Sequence, residues 1–546
     1  MASPNSIPVR FTPRGLADAY DATDVFAGAC RQLTNLVFDQ SNPEIVIARP
    51  GVSTPLTSFA GFITPGFISI QVTIGTLVYG MVATGLTATY DEPFCYDLVN
   101  GVFIAITGPT AGNTEGRPLS PATFGAWTPP TMAVIGVKLI ITHPGYSGGG
   151  SNFFGVIDIS NPAFPTYVTQ NTITHVLPSV PTSVANLGNR AYFACGNTVY
   201  YSDVLVPTTM TNAGQSLTLG DTTPILALSG LPIQTSTAGV LSALLVFKGA
   251  QIWQITGDAA ITGSLSENYL SLTVGCMAPR SIVPTPLGTF FAGPDSCYLV
   301  SPFGAVLPVT NQLGTFGAMP DIRQPFGYAT QPTRMAAAFA GNIYRVCIPT
   351  IIDGVESTYD YWFDTRKNRW NGPHTFIYDC ASSVGTYFIL SGAGTPAMLF
   401  RGDPFPNTNT LYTDNSVAYG IELHSSDFPK KDEMSMKQVI ESTIELSSAG
   451  TAATYTIQVY DELGTLMTPA FVITAASGGI WGSNNWGDGS VWSGATNRPK
   501  TYPANWSGPL VFNKMSIDAT AAAGKSIAIG TFYARTQKLG YTLQQR

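Results

Sequence analysis

Charged residues are scarce in this sequence. Asp, Glu, Lys and Arg make up 11 % of the 546 residues, against about 25 % in an ordinary globular domain. Hydrophobic residues reach 45 %, so a free monomer would carry little charge to keep it soluble. Because the cores of interfaces are depleted of charge, this composition indicates that partner molecules cover much of the surface. A polar surface built from Thr, Ser, Asn and Gln is the alternative.

Excess positive charge is also missing. The net charge is −7, from 26 Lys and Arg against 33 Asp and Glu. Tight binding to nucleic acid needs clustered cations that neutralise phosphates, and this balance argues against it. A neutral or acidic wall would instead let double-stranded DNA pass without gripping it.

Signals for metal sites, redox motifs and membrane spans are absent as well. No two cysteines have C-x-x-C spacing and no two histidines have metal-ligand spacing, so we expect no metal, no cofactor and buried, reduced thiols formed in a cytosol. The uncharged segment 51–90 is interrupted by Pro55, Pro65 and Gln71 and lacks the ~20 apolar residues of a membrane span. We expect no secretory signal at the N-terminus either. The cysteines and histidines are Cys30, Cys95, Cys195, Cys276, Cys297, Cys347, Cys380, His143, His175, His374 and His424.

Glycine and proline are abundant, with 55 and 40 copies, which favours short strands and turns. Between residues 61 and 430 a unit recurs that consists of a hydrophobic strand, a tight turn and an aromatic-rich strand. The turn glycines are Gly188, Gly249, Gly288, Gly341 and Gly385, at intervals of 61, 39, 53 and 44 residues. This period is typical of β-propeller blades, which bury their faces only against one another. We predict an all-β fold with a propeller of about six to eight blades over residues 61–430.

The two ends of the chain have other patterns. Residues 1–60 are rich in Pro and Gly, with one mildly helical patch at 16–36, and we expect an N-terminal arm that serves for docking. The charge run 430–433 marks a boundary. Beyond it, alternating stretches such as 454–460 and 526–533 predict a β-sandwich or closing sheet over residues 431–546. This region also contains a loop rich in Trp and Gly, with Trp481, Trp486, Trp492, Tyr502 and Trp506.

One motif matches the nucleophile elbow of hydrolases. Residues 145–149, Gly-Tyr-Ser-Gly-Gly, fit the pattern G-x-S-x-G with Ser147 in the nucleophile position. An elbow needs a strand before it and a helix after it, and the Gly-Ser-Asn-Phe that follows starts a helix poorly. We therefore interpret the segment as a flexible hairpin loop and predict that Ser147 has no catalytic role.

Other candidate sites have ordinary structural explanations. Paired carboxylates mark glycosidases, which propellers also host; the candidate pairs are Asp91 with Glu92 and Asp360 with Asp364. Neighbouring acids more often reflect solvation, and we expect the second pair to flank a turn between outer strands. The Arg-Gly-Asp tripeptide at 401–403 precedes a proline, which predicts a surface turn.

The aromatic residues 481–506 form either a sugar-stacking platform or packing that holds a Gly-rich loop in place. We assign no catalytic, cofactor-binding or metal-ligating residue, and we expect that the chain is not an enzyme.

Two N-terminal segments have a sequence pattern similar to that of a known family. They are residues 29–38, Ala-Cys-Arg-Gln-Leu-Thr-Asn-Leu-Val-Phe, and residues 45–51, Ile-Val-Ile-Ala-Arg-Pro-Gly. Together they resemble the start of the tail nozzle proteins of short-tailed bacteriophages, also called tail tubular protein B, and of packaged-DNA stabilisation proteins. Residues 244–258 and 288–302 resemble blades of those proteins, and residues 530–541 resemble their ending.

The resemblance implies a propeller subunit repeated around a tail axis. Members of that family form a hexameric ring below the portal and adaptor, which retains packaged DNA and conducts it into the cell at ejection. It implies contacts with copies of the same chain, an adaptor or portal-side protein, and tail fibres or spikes, in a virion tail assembled from chains made in the bacterial host cytoplasm. The alternative is a carbohydrate-binding or glycan-hydrolysing propeller of a phage tail. Two acids converging at about 5 to 9 Å in one pocket would favour that alternative as an enzyme.

Overall fold

The computed structural model describes most of the chain. The described residues are 6–18, 26–58, 68–82, 91–108, 117–118, 129–148, 153–169, 172–212, 214–235, 239–257, 259, 264–309, 322–352, 354–392, 398–406, 410–429, 435–449, 452–475, 477–479, 491–492, 500–504, 510–522 and 526–541.

In the described ranges, seven four-stranded antiparallel sheets form the blades of a β-propeller. Blade 1 contains β7 (Ile68–Ile74), β8 (Leu77–Val82), β9 (Glu92–Asp97) and β10 (Val102–Ile104). Blade 2 contains β11 (Thr131–Ile135), β12 (Lys138–Thr142), β13 (Gly155–Asp158) and β14 (Thr166–Tyr167). Blade 3 contains β15 (Ser183–Leu187), β16 (Arg190–Cys195), β17 (Thr198–Tyr201) and β18 (Ser216–Thr218). Blade 4 contains β19 (Ala227–Thr235), β20 (Gly239–Phe247), β21 (Ile252–Thr256) and β22 (Ser266–Ser271). Blade 5 contains β23 (Val283–Thr285), β24 (Gly288–Ala292), β25 (Cys297–Val300) and β26 (Val306–Pro308). Blade 6 contains β27 (Ala336–Ala340), β28 (Ile343–Ile352), β29 (Val355–Asp364) and β30 (Arg369–His374). Blade 7 contains β31 (Cys380–Val384), β32 (Tyr387–Gly392), β33 (Met398–Gly402) and β6 (Thr57–Ser58).

The blades close into a ring around their first strands. Each first strand contacts the first strand of the next blade, from β7 through β11, β15, β19, β23 and β27 to β31, and β31 contacts β7 again. The last blade takes its outermost strand from the N-terminal part of the chain, because β6 pairs with β33. The predicted all-β fold with a propeller of six to eight blades is confirmed, with seven blades.

Four of the five turn glycines lie where the repeat places them, at the junction of the first and second strands of a blade. Gly188, Gly341 and Gly385 follow the first strands of blades 3, 6 and 7, with φ of 57°, 56° and 56°, and Gly288 opens the second strand of blade 5 with φ 131°. These positive φ values confirm the predicted turns, since the left-handed region suits a two-residue hairpin turn. Gly249 instead lies between the second and third strands of blade 4. The intervals on either side of it were unequal for that reason.

Two further sheets pack face to face as a β-sandwich. One sheet has nine strands, β1 (Ser6–Phe11), β4 (Leu36–Phe38), β5 (Val46–Ala48), β37 (Ser435–Ala449), β40 (Ser477–Gly479), β41 (Val491–Trp492), β42 (Lys500–Pro503), β43 (Val511–Phe512) and β45 (Ser526–Tyr541). The other has six, β2 (Gly15–Leu16), β3 (Ala29–Thr34), β36 (Gly420–Ser425), β38 (Ala453–Asp461), β39 (Phe471–Ala475) and β44 (Met515–Ala522). Burial alternates along β38 and β44, as in strands with one face against a core. Tyr455 of β38 joins the two sheets by donating its hydroxyl hydrogen to the carbonyl oxygen of Ser447.

The N-terminal segment is part of this sandwich. Strands β1, β4 and β5 belong to the nine-stranded sheet, and β2 and β3 belong to the six-stranded one. The expected separate arm over residues 1–60 is thereby corrected, because its strands find their hydrogen-bond partners in the C-terminal region. The helical patch expected at 16–36 is also wrong where it is described, since β3 occupies Ala29–Thr34.

The sandwich lies against the outer edge of blade 6. Strand β30 contacts β2, β3 and β4, and one hydrophobic core runs from the sandwich interior, with Ile444 and Phe532, to Phe363 and Trp370 of blade 6. A small hairpin of β34 (Thr413–Asp414) and β35 (Val417–Ala418) precedes the return of the chain to the sandwich. All seven cysteines are free and buried, as expected.

Helices are few and short in the described ranges. They are α1 (Gln324–Gly327) and the 3-10 helices Pro144–Gly148, Pro279–Ser281 and Pro332–Arg334. None of the helices in this part of the chain is long and apolar enough to span a membrane.

Candidate functional site

A central cavity of about 620 Å³ lies on the propeller axis. All seven blades contribute to its wall, mainly through their first strands. The lining includes Ile74, 131–134, 183–186, 227–229, 279–280, 282–284, 336–339 and 380–383. Most of these side chains are small or apolar. The volume falls within the range of small-molecule sites, about 300–1,000 Å³.

Side-chain hydrogen bonds tie neighbouring blades together at the cavity wall. The backbone N–H of Val184 in blade 3 donates to Oγ1 of Thr131 in blade 2 at 3.2 Å. One blade further on, the N–H of Leu228 donates to Oγ of Ser183 at 3.1 Å. Thr131 and Ser183 open the first strands of their blades. These two hydroxyls therefore have a structural role in holding adjacent blades.

Arg280 is the charged residue among the described residues that line the cavity. Its Nη1 donates to the carbonyl oxygen of Asp379 at 2.5 Å and lies 2.7 Å from Sγ of Cys380. Its Nε and Nη2 both donate to the carbonyl oxygen of Thr333. The carboxylate of Asp379 instead accepts from Arg334, at 3.0 and 2.7 Å. Carbonyl oxygens and a thiol thus hold the Arg280 guanidinium, while the nearby carboxylate is taken by a second arginine.

A buried ion pair lies where the chain passes from the sandwich into the propeller. Arg49 is fully buried, and its guanidinium donates to Oδ1 of Asn35 at 2.9 Å and to both carboxylate oxygens of Asp414. The guanidinium carbon also lies 4.4 Å from the ring centroid of Tyr419. We call Asn35, Arg49, Asp414 and Tyr419 the junction cluster. It fastens the segment before β6 to the hairpin of β34 and β35.

A second buried ion pair lies inside blade 6, between β28 and β29. Nε of Arg345 donates to Oδ2 of Asp360 at 2.7 Å, and the same carboxylate accepts from Trp362 at 2.6 Å and from Tyr378 at 2.9 Å. Burial raises the pKa of Asp360 to about 6, although Arg345 and the two hydrogen bonds act to lower it. Next to this pair, burial and then Arg49 and Arg345 hold the pKa of His374 well below its usual value.

Ser147 lies in the connection between β12 and β13, which pair with each other, and its lack of a catalytic role stays a prediction. Residues Pro144–Gly148 form a 3-10 helix, not the turn between a strand and an α-helix that an elbow requires. His143, just before it, is buried, and its Nδ1 accepts the backbone N–H of Gly145 at 3.0 Å. Its Nε2 lies 3.6 Å from Oδ2 of Asp91.

The candidate carboxylate pairs have separate structural partners. Asp91 faces His143, and Oε1 of Glu92 accepts from Arg117 at 2.7 Å. Asp364 ends β29 and accepts two backbone N–H groups of the following turn, as expected for a turn-flanking residue. The same expectation is wrong for Asp360, which lies inside β29 in the buried pair. None of these four acids is among the described residues of the cavity wall.

The remaining sequence candidates lie elsewhere. Arg401 and Asp403 pair with each other at 3.2 Å at the end of β33. His424 lies 3.9 Å from both Glu422 and Asp518 on the six-stranded sheet. No group of three His, Cys, Asp or Glu that could hold a metal ion occurs within the described ranges. Trp481, Trp486, Trp506 and the side chain of Trp492 lie outside the described residues, while Tyr502 lies half-buried on β42.

Sequence reasoning missed Arg280 and the pairing of Arg49 with Asp414. Arg280 stands among Ala, Pro and Ser residues with no motif around it, so only the ring closure of the blades reveals that it faces the axis. Arg49 belongs to an Arg-Pro-Gly run in the sequence, but its partner Asp414 lies 365 residues away. A fully buried arginine requires such a carboxylate.

Comparisons with known proteins identify likenesses in structure but none in sequence families. No family model matches the sequence, and no curated protein matches it significantly. A puromycin-hydrolysing peptidase of Mycobacterium tuberculosis aligns with 69 % of this chain at a TM-score of 0.35 and 12 % identity, over 61 % of its own length. BBS1N, from its complex with ARL6DN, aligns with 53 % of this chain and 90 % of its own, at a TM-score of 0.26 and 9 % identity.

The prediction that the chain is not an enzyme is contradicted by the first likeness, because that structure is a peptidase. We therefore withdraw the prediction. At a TM-score of 0.35 the likeness carries no assignment of a peptidase activity to this chain.

Proposed function

We propose that this chain is a subunit of the tail nozzle of a short-tailed bacteriophage, a closed ring of copies, most simply six, that retains packaged DNA and forms the conduit for its ejection. The proposal rests on the N-terminal and blade resemblances and on the scarcity of charge. It places the chain in the virion tail, assembled from chains made in the host cytoplasm. In that position it would contact an adaptor or portal-side protein and tail fibres or spikes.

The observation that carries the ring is a pair of apolar patches on different sides of the propeller. The blade 1 patch comprises Val99, Val102 and Phe103, on and beside the outer strand β10. The blade 4–5 patch comprises Tyr269, Leu272, Phe303 and Leu307, around the outer strands β22 and β26. Val99 is 73 % exposed and Phe303 is 79 % exposed. Apolar side chains this exposed favour a protein interface.

Two different patches suit a head-to-tail contact. In a ring the blade 1 patch of one copy would meet the blade 4–5 patch of the next, and such heterologous contacts close when the rotation between copies permits. The outer strands β10, β22 and β26 each pair with one neighbour in the described part of the sheets. Their open edges could add backbone hydrogen bonds across the contact.

The conduit in this proposal lies between copies. A cavity of about 620 Å³ has the size of a small-molecule site and is too small for a DNA duplex to pass through one subunit. With 33 acidic against 26 basic residues, a neutral or negative wall would let DNA slide, because cations that neutralise phosphates make release depend strongly on salt.

A mixing experiment tests the ring. Val99→Asp and Phe303→Asp each place a charge in one patch and should each abolish rings, seen by electron microscopy and sedimentation. Because each variant keeps the other patch intact, a mixture of the two should form pairs but no rings. The matched control is Leu463→Asp, which changes a residue 85 % exposed in a loop of the sandwich and should leave rings intact.

Three results would contradict the proposal. The first is a wild-type chain that is monomeric in solution and absent from rings in any particle. The second is rings that survive both patch variants. The third is tight, salt-sensitive binding of the wild-type ring to duplex DNA in a filter assay, which would contradict the sliding conduit.

A further inference from the structure

We propose that the central cavity is a binding site for a small organic anion, a carboxylate or phosphate ester whose charged group meets Arg280. This inference does not depend on the nozzle proposal. It rests on the volume of the cavity, on the charge of its wall and on the way Arg280 is held.

The wall of the cavity favours negative charge. Arg280 lines it, and the described residues around it include no Asp or Glu. Behind the wall, Arg334 neutralises the carboxylate of Asp379, so the charge of Arg280 is left in excess. A cleft with one sign of charge and apolar walls focuses the electric field on its contents. An anion is therefore the complementary occupant.

The guanidinium is already fixed in position. Backbone carbonyl oxygens of Thr333 and Asp379 accept from its Nε, Nη1 and Nη2, and the fourth contact is to Sγ of Cys380. A guanidinium carries five N–H groups, so these four contacts with described residues leave one for a ligand. Sulfur is a weak acceptor, so a ligand oxygen could replace the thiol at a second N–H. Two N–H groups facing one carboxylate or phosphate give the geometry that arginine recognises best.

The rest of the wall suits the uncharged part of such a ligand. Met132, Ala185 and Ala337 provide apolar surface, and the half-buried Ser382 and the buried Ser229 provide hydroxyl groups. A few polar groups among apolar side chains are typical of small-molecule sites. A sugar acid or sugar phosphate combines the required anion with a compact, hydroxylated body.

Isothermal titration of the full chain with three matched probes tests the inference. Glucose is neutral. In glucuronate the sixth carbon of glucose is a carboxylate, and in glucose 6-phosphate the hydroxyl on that carbon carries a phosphate. We expect both anions to bind at least about ten-fold more tightly than glucose, since a hydrogen bond to a charged group stabilises by about 1.5–3 kcal/mol. The tighter-binding anion of the two shows whether the natural ligand is a carboxylate or a phosphate ester.

Two variants locate the binding. Arg280→Gln should weaken both anions by about ten-fold or more and leave glucose unchanged. Ser382→Phe fills the cavity from a different blade and should abolish all binding, which keeps the test valid if Arg280→Gln unfolds the propeller. The matched control is Arg535→Gln, which removes an exposed cation of the sandwich and should change nothing. The inference is overturned if neither anion binds, if glucose binds as tightly as the anions, or if Ser382→Phe leaves anion binding unchanged.

Discussion

Replacing Arg49 by methionine should destabilise the protein by about 3–5 kcal/mol, because removing one partner of a buried ion pair strands the other charge. Arg49 is fully buried and Asp414 is 14 % exposed. Without the guanidinium, the carboxylate keeps the backbone N–H of Val52, at 3.1 Å. Asn35 and the ring of Tyr419 lose their contacts with the guanidinium as well.

A double-mutant cycle with Asp414→Asn isolates the pair. We expect the two changes to be non-additive by about 0.5–3 kcal/mol, as for residues in one hydrogen-bonded network. Equilibrium unfolding in denaturant gives the free energies. Hydrogen exchange adds a local readout, since loss of the junction cluster should speed exchange at β6 and at the hairpin of β34 and β35.

The control for this cycle is a pair on the surface. Arg535 and Glu441 lie 3.7 Å apart with both side chains largely exposed, and Arg535→Met should cost less than about 1 kcal/mol. If Arg49→Met costs no more than Arg535→Met, or if the effects at Arg49 and Asp414 simply add, the junction cluster does not fasten the segment before β6 to the hairpin of β34 and β35.

Three further outcomes follow from the structure. Because the pKa of His374 is lowered in the folded protein, stability is lost as the pH falls below about 6.5, where the imidazole of the unfolded chain binds a proton. His374→Gln should remove that loss in unfolding free energies measured from pH 8 to 5. An unchanged pH profile in this variant would refute the prediction. Thr131→Val should cost about 1–3 kcal/mol by leaving the N–H of Val184 unpaired, as thermal unfolding would show; a neutral effect would contradict the role of this hydroxyl. Gly51→Ala should reduce soluble folded protein much more than Gly420→Ala, because a Cβ would lie 2.1 Å from a carbonyl oxygen at the first position and meet nothing within 4 Å at the second; equal yields would contradict this.

The fold could be predicted from local patterns wherever a strand and its partner lie close in sequence. Turns such as Gly341-Asn342 predict a hairpin, because both residues tolerate positive φ. The blades contain many such hairpins. Pairing between the two ends of the chain leaves no comparable mark. The short strands near the N-terminus could be read as an arm, since nothing nearby in the sequence pairs with them.

The candidate site was less accessible to sequence reasoning for a related reason. The cavity exists only because the first strands of seven blades converge, and no single segment contains it. Arg280 gained its significance from Thr333 and Asp379, which other blade connections bring to it. The burial of Asp360 was likewise hidden, because a charged residue amid aromatic neighbours can belong to a solvated turn or to a buried ion pair within a blade.

The pairing of the first strands with the last has a consequence for how the chain is made. Thr12 and Thr531 hydrogen-bond to each other across 519 residues of sequence, and β6 completes a blade whose other strands are synthesised hundreds of residues later. During translation the opening strands must therefore wait with open edges while the middle blades, whose contacts are mostly local, can already form. Contacts between distant residues form slowly, and unpaired edges expose a growing chain to aggregation. The propeller ring can close once β33 has emerged from the ribosome, because β6 pairs with β33 and β7 contacts β31. The nine-stranded sheet of the sandwich can form only after β45, which pairs with β1, β5 and β37, has emerged.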